Sequence, residues 1–136
     1  MALSDRIALL RAGELEQVDT PRGIYHRPRT AYAASFIGLT NLLRGRVENG
    51  CARCGPLEWR CPGEPGDAVF SLRPESIRLG GPFHGIVRRQ TFGGASDLLE
   101  IECAGGLTLT VRAPSSGDLT GEQTFTFPPQ EAVRLR

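Results

Sequence analysis

The sequence predicts a mainly β protein: a small, closed or nearly closed barrel preceded by a hairpin and two short helices. Three observations carry this. From Asn41 onward, short alternating runs follow one another and are separated by Gly- and Pro-rich clusters. Residues 5–18 read as an apolar run, a turn and a returning run. Between these regions, Thr20-Pro21 has the chemistry of a helix start.

Taken in order, Ile7 to Leu10 is an apolar strand, Ala12-Gly13 turns the chain, and Leu15 and Val18 return. Thr20 is placed to cap a helix and Pro21 to occupy its first turn, where a missing N–H loses no bond. A second short helix is expected from Pro28. Ala33, Phe36 and Ile37 share one of its faces, and Gly38 stops it. Leu42 to Val47 is the first barrel strand, and Arg53 to Cys61 is an irregular second one containing Pro56. Pro62 to Asp67 is a turn cluster. Ala68 to Arg73 alternates until Pro74 breaks the ladder, so Pro74 belongs at a strand end or edge. Gly80-Gly81-Pro82 reads as another turn. His84 to Thr91, Leu98 to Cys103 and Leu107 to Arg112 are three further strands, the last two joined through Gly105-Gly106. Ser115 to Asp118 is a loop, Gln123 to Phe127 a strand ended by Pro128-Pro129, and Ala132 to Leu135 a last short one.

Composition excludes some chemistry. The chain has 136 residues, is 40% hydrophobic and carries a formal net charge of +1. That balance implies no strong pull toward nucleic acid or an anionic membrane. All 16 basic residues are Arg. Without Lys there is no phosphate-loop lysine and no Schiff-base amine. No apolar run approaches the roughly 20 residues that span a bilayer. No secretory leader is read at the N-terminus, and Cys51, Cys54, Cys61 and Cys103 are accordingly taken as reduced thiols.

Several stretches carry a family resemblance. Leu3-Ser4-Asp5-Arg6-Ile7-Ala8-Leu9-Leu10, Gly13 to Val18, Thr20-Pro21, Ile24-Tyr25, Pro28 and Phe36-Ile37-Gly38-Leu39-Thr40-Asn41-Leu42-Leu43 resemble, in order and spacing, the tail of the ATPase subunit of an ABC-type importer. Leu72-Arg73-Pro74-Glu75-Ser76-Ile77-Arg78-Leu79 is similar to the strand opening the small OB-like barrel, the TOBE domain, appended to such ATPases. The resemblance implies two parts: residues 1–40 as the end of an ATPase domain and 41–136 as a TOBE-type barrel. It implies a non-catalytic regulatory and dimerising module, a homodimer, and no cofactor in this stretch. ATP and Mg²⁺ would be handled by the longer parent. That parent would meet membrane-embedded permease subunits through its ATPase domain, in the cytoplasm and peripheral to the inner membrane. Thr40-Asn41-Leu42-Leu43 after Phe-Ile-Gly resembles the ferric iron and polyamine branches most. Met1 then falls inside a domain and reads as an artificial start or a truncated frame. The helical faces, deprived of the ATPase core, are expected to be mobile, swapped or packed on a second copy.

The candidate residues each have a functional and a structural reading. Cys51-x-x-Cys54 with Cys61 is one corner of a possible zinc site, to be completed by Cys103 or His84; otherwise these are small apolar residues. His26 and His84 sit in no catalytic arrangement. Arg73-Pro74-Glu75 is the family signature. Arg73 either meets an anion at the barrel rim or pairs with Glu75 to pin a strand end. Phe92 is expected in the core, with Gly93 and Gly94 supplying a bulge or sharp turn. Thr91 and Ser96 beside those glycines resemble the oxyanion site of a related barrel subfamily. A nucleic-acid reading would use Phe83, Arg88, Arg89 and Phe92, although Arg88 and Arg89 should point to opposite faces of a strand.

Overall fold

The computed structural model describes residues 6–136. The expectations for Met1, Leu3, Ser4 and Asp5 lie outside the described residues. The N-terminal hairpin forms as its pattern requires: β1 (Ile7–Arg11) pairs antiparallel with β2 (Glu14–Asp19). Ala12 and Gly13 both have positive φ, 51° and 82°, the conformation a two-residue hairpin turn demands. Thr20 caps α1 (Pro21–His26), its hydroxyl accepting from the Gly23 amide at 3.0 Å. The second helix, α2 (Ala31–Ile37), starts later than Pro28. Thr30 is its cap, accepting from the Ala33 amide at 3.1 Å, and Gly38 ends it. A threonine hydroxyl satisfies a first-turn amide, which Pro28 cannot do. Leu9, Ile24 and Ala33 form a small core here, with Ile7, Tyr32 and Ile37 packed on it. The helices therefore find an apolar partner in the hairpin of the same chain. Phe36 is not on the buried face; it is 60% exposed.

Nine strands follow. A five-stranded sheet has the order β11-β6-β3-β4-β5, from β3 (Asn41–Glu48), β4 (Cys51–Cys54), β5 (Leu57–Arg60), β6 (Gly66–Leu72) and β11 (Val133–Arg134). A four-stranded sheet has the order β10-β7-β8-β9, from β7 (Arg78–Phe92), β8 (Ser96–Glu102), β9 (Thr108–Pro114) and β10 (Gly121–Thr126). The stretch expected as one irregular strand through Pro56 is two, because Gly55-Pro56 turns the chain between Cys54 and its cross-strand partner Leu57. Asn49-Gly50, with φ of 53° and 74°, makes the preceding hairpin. Gly80-Gly81-Pro82 does not end a strand. It bulges out of the long β7, whose partner on β10 steps from Leu79 opposite Phe125 to His84 opposite Thr124. Gly81 is required there: a Cβ would lie 2.6 Å from the Thr126 Cβ and 2.8 Å from the Phe125 carbonyl oxygen.

Both sheets turn their alternating apolar residues onto one core. Leu43, Val47, Leu57, Phe70 and Leu72 come from one sheet, and Val87, Leu99, Ile101, Leu109, Val111 and Phe125 from the other. Trp59 meets Phe70 edge-on at 5.0 Å and Phe127 at 5.4 Å, and Phe83 stacks on Phe127 at 5.6 Å. The result is an OB-like β fold. Asn41 clasps the two sheets. Its side-chain amide donates to the Leu72 carbonyl (3.1 Å) and to the Thr110 carbonyl (2.8 Å), and its oxygen accepts from the Thr110 amide at 2.7 Å. Replacing this side chain strands ladder groups of β9. Asn41→Ala is expected to lower unfolding free energy by about 2 kcal/mol, read from urea denaturation with an unchanged slope.

Candidate functional site

The most elaborate polar arrangement in the described residues is built around Arg73. β6 ends at Leu72, and Pro74 opens a 3-10 turn (Pro74–Ser76) that holds Arg73 in extended backbone. The side chain runs inward and is only 6% exposed. Its Nε and Nη2 donate to the Tyr25 carbonyl at 3.2 and 3.0 Å. Nη1 donates to the carbonyls of Ala34, Gly38 and Leu39 at 2.9, 3.2 and 3.0 Å. The guanidinium carbon also stands 4.2 Å from the centre of the Tyr25 ring. The Tyr25 hydroxyl donates to the Glu75 carboxylate.

Arg73 and Glu75 therefore form no ion pair, contrary to expectation, and Arg73 is not at an open rim. Apart from Leu39, just beyond α2, its partners are backbone carbonyls at the ends of α1 and α2. Those carbonyls are the negative ends of short helices, and α2 has no basic residue of its own in its last turn. Burial lowers the Arg73 pKa, with Tyr25 and Glu75 acting in the opposite direction. Burial raises that of Tyr25, and its bond to Glu75 raises it further.

The cysteines are dispersed. Cys51 is exposed, Cys61 is half-buried, and Cys54 and Cys103 are both buried in the main core. Cys51 and Cys54 lie on opposite faces of β4, because they stand three positions apart on a strand. Among the described residues, no three His, Cys, Asp or Glu side chains stand together as a metal site. Burial raises the thiol pKa of Cys54 and of Cys103; the Arg44 amide opposes this at Cys54, and the Cys54 sulfur adds to it at Cys103. The glycine turn is occupied by the protein itself. The buried Asp97 carboxylate accepts from the Ser115 hydroxyl (2.6 Å), the Gln90 amide (2.8 Å) and the Gly93 backbone amide (3.3 Å). An oxyanion at this turn would have to displace that carboxylate. Phe92 is not core but 77% exposed, carried outward at the end of β7.

The nucleic-acid candidates are also separated. Phe83 is spent on the core. Arg88 and Arg89 do not alternate. A register break between Val87 and Arg89 leaves both outside, Arg88 on Glu102 (2.8 Å) and Arg89 on Glu100 (3.5 Å). Both pairs lie at the exposed surface. His84 and His26 are exposed, and His26 packs edge-on against Tyr25. Sequence reasoning passed over Asn41, Tyr25 and Asp97. The Asn between Thr40 and an apolar run was the one available signal for the first; Tyr25 and Asp97 carried none.

The geometry defines an OB-like barrel clasped to a small helical element. Residues 70–135 match the family described as the TOBE domain. That match begins in β6, so the strands contributing Leu43, Val47, Leu57 and Trp59 to the core precede it. The chain is 35% identical over 141 residues to an uncharacterized ABC transporter ATP-binding protein, YdcT, of Escherichia coli (strain K12), covering 99% of this chain and 37% of that one. It is 36% identical over 132 residues to a spermidine/putrescine import ATP-binding protein of Pseudomonas fluorescens, covering 85% of this chain and 36% of that one. It is 34% identical over 132 residues to a Fe(3+) ions import ATP-binding protein of Yersinia pestis bv. Antiqua, covering 93% and 36%. The chain belongs with the ABC transporter ATP-binding subunits, as their C-terminal, TOBE-bearing region. It spans little more than a third of the length of these relatives.

Two outcomes follow from the thiols and from Asp97. In the native chain, a thiol reagent at neutral pH should modify Cys51 quickly and leave Cys54 and Cys103 unmodified until the fold opens; fast labelling of all three would refute their burial. The Asp97 pKa is lowered, first by the Ser115 hydroxyl and next by Gln90. A depressed carboxyl contributes stability in full above its unfolded value of about 3.9 and loses it as pH falls through the folded value. The melting-temperature gap between the native chain and Asp97→Asn should therefore be widest near neutral pH and close below that value.

Proposed function

We propose that this chain is a non-catalytic regulatory and dimerising module of the ATP-binding subunit of a solute importer, with ferric iron or a polyamine as the favoured cargo. The observation that carries the reading is the TOBE match over residues 70–135 together with relatives named for import of spermidine/putrescine and of Fe(3+) ions. The residues themselves agree with an accessory part. The chain has no Lys for a phosphate loop, and its most elaborate polar site holds backbone carbonyls rather than an open cavity. ATP and Mg²⁺ belong to the remainder of the longer protein, which works with membrane permease subunits at the cytoplasmic side of the inner membrane. No helix among the described residues is long and apolar enough to cross a membrane. Two barrels side by side would hold two ATPase domains together between strokes.

Two measurements separate the parts of this proposal. Native mass spectrometry of the purified chain, with and without zinc, should show a dimer that retains no metal. A monomer at micromolar concentration would overturn the dimerising role, and one tightly held zinc per chain would overturn the accessory reading in favour of a metal-binding barrel. Incubation with ATP and Mg²⁺ should give no hydrolysis above the buffer rate. Measurable turnover would overturn the non-catalytic assignment.

A further inference from the structure

The hairpin with its helices and the barrel have separate apolar cores. Leu9, Ile24 and Ala33 anchor one, and the residues of β3 to β10 build the other. No buried apolar side chain belongs to both clusters. Hydrogen bonds join the two bodies: the Arg73 bonds to Tyr25, Ala34, Gly38 and Leu39, the Tyr25–Glu75 bond, the Thr40–Ser71 hydroxyl pair at 2.6 Å, and the Arg136 amide on the Arg29 carbonyl at 2.7 Å. Of these, only Arg73 touches α1, α2 and the segment leaving α2 at once. Every hydrogen bond of its guanidinium crosses from the barrel to the helical element.

We propose that Arg73 is a latch that couples the β1–α2 element to the barrel as a single hydrogen-bonded unit. Apolar faces slide past one another with little directional preference, whereas a planar guanidinium fixes its acceptors in angle and distance. The cation is buried, so its bonds stand or fall together: withdrawing one set of carbonyls leaves a charge short of partners away from water. The joint is thus either engaged or released. Pro74 holds the barrel side of the latch, and the Tyr25 ring, fixed by Glu75, covers its outer face. In one respect this rests on the proposed function: in a transport motor, this is where movement of the chain ahead of the barrel would reach the barrel. The latch itself is a property of this chain and is tested without that reading.

The test is hydrogen exchange followed by mass spectrometry on the 136-residue chain and on Arg73→Gln, Arg73→Lys and Glu75→Gln. Lys keeps the charge, but its ammonium cannot reach the Tyr25 carbonyl and the α2 carbonyls together. In both Arg73 variants the helical amides of Ile24, Arg27 and Ala34 should exchange about tenfold faster or more. Amides of β8 and β9 should keep the native rate, and Glu75→Gln should stay close to native throughout. Unchanged α1 and α2 exchange in the Arg73 variants would overturn the latch. So would equal acceleration of helices and barrel, which would make Arg73 a general stabiliser. A Glu75→Gln effect as large as that of the Arg73 variants would also overturn it, by placing the coupling in the carboxylate. Should Arg73→Gln fail to fold, Arg73→Lys alone decides. Dimer formation and ATP handling do not enter these outcomes.

Discussion

The arrangement turns on one buried cation held by uncharged partners. Removing a guanidinium from water is costly by several kcal/mol, and a nearby carboxylate is the usual compensation. Here four backbone carbonyls supply it, three from the ends of two short helices and one, that of Leu39, from the segment leaving α2. Helices of six and seven residues are marginal by themselves. A shared positive charge at their carbonyl ends stabilises both and fixes where they stand. The three residues Arg73, Pro74 and Glu75 divide the work: one donates, one stiffens the backbone, and one anchors the aromatic ring lying over the donor.

The barrel meets the same problem of unpaired backbone at its edges. Thr110 on the edge strand β9 would present a free amide and carbonyl, a template for unwanted pairing. Asn41 satisfies both with one side-chain amide, in the pattern a neighbouring strand would use. It also ties β9 to β6 through Leu72. Arg73 and Asn41 act side by side where the chain passes from helices to barrel: Asn41 pairs with Leu72, the residue before Arg73, and Arg73 holds the Leu39 carbonyl two residues ahead of Asn41. Trp59 is less well served; its buried indole N–H has no hydrogen-bond partner among the described residues.

For function, the informative feature is that groups the sequence offered for ligands contact the protein's own side chains. Asp97 occupies the glycine turn that an oxyanion would need, and Arg88 and Arg89 make surface pairs with Glu102 and Glu100. The cysteines lie in different environments because strand alternation sends Cys51 and Cys54 to opposite faces.

Much of the architecture was legible from local chemistry. Alternation located most strands, Thr20-Pro21 located α1, and paired glycines located turns, because these signals act over a few residues and no distant contact overrides them. Pro28 misled because a threonine two residues later caps better. Gly80-Gly81-Pro82 misled because glycines serve a bulge as readily as a turn, and only the partner strand β10 decides between them. Phe92 and Phe36 look like core from composition yet stand outside, since exposure depends on where a strand ends or a helix face points. By itself the sequence determined the mainly β class, the place of the hairpin and helices ahead of the strands, the absence of lysine, and the family resemblance. Only the tertiary structure decided what Arg73 and Asn41 hold, because their partners are backbone groups of remote segments, and backbone carbonyls leave no mark in a sequence.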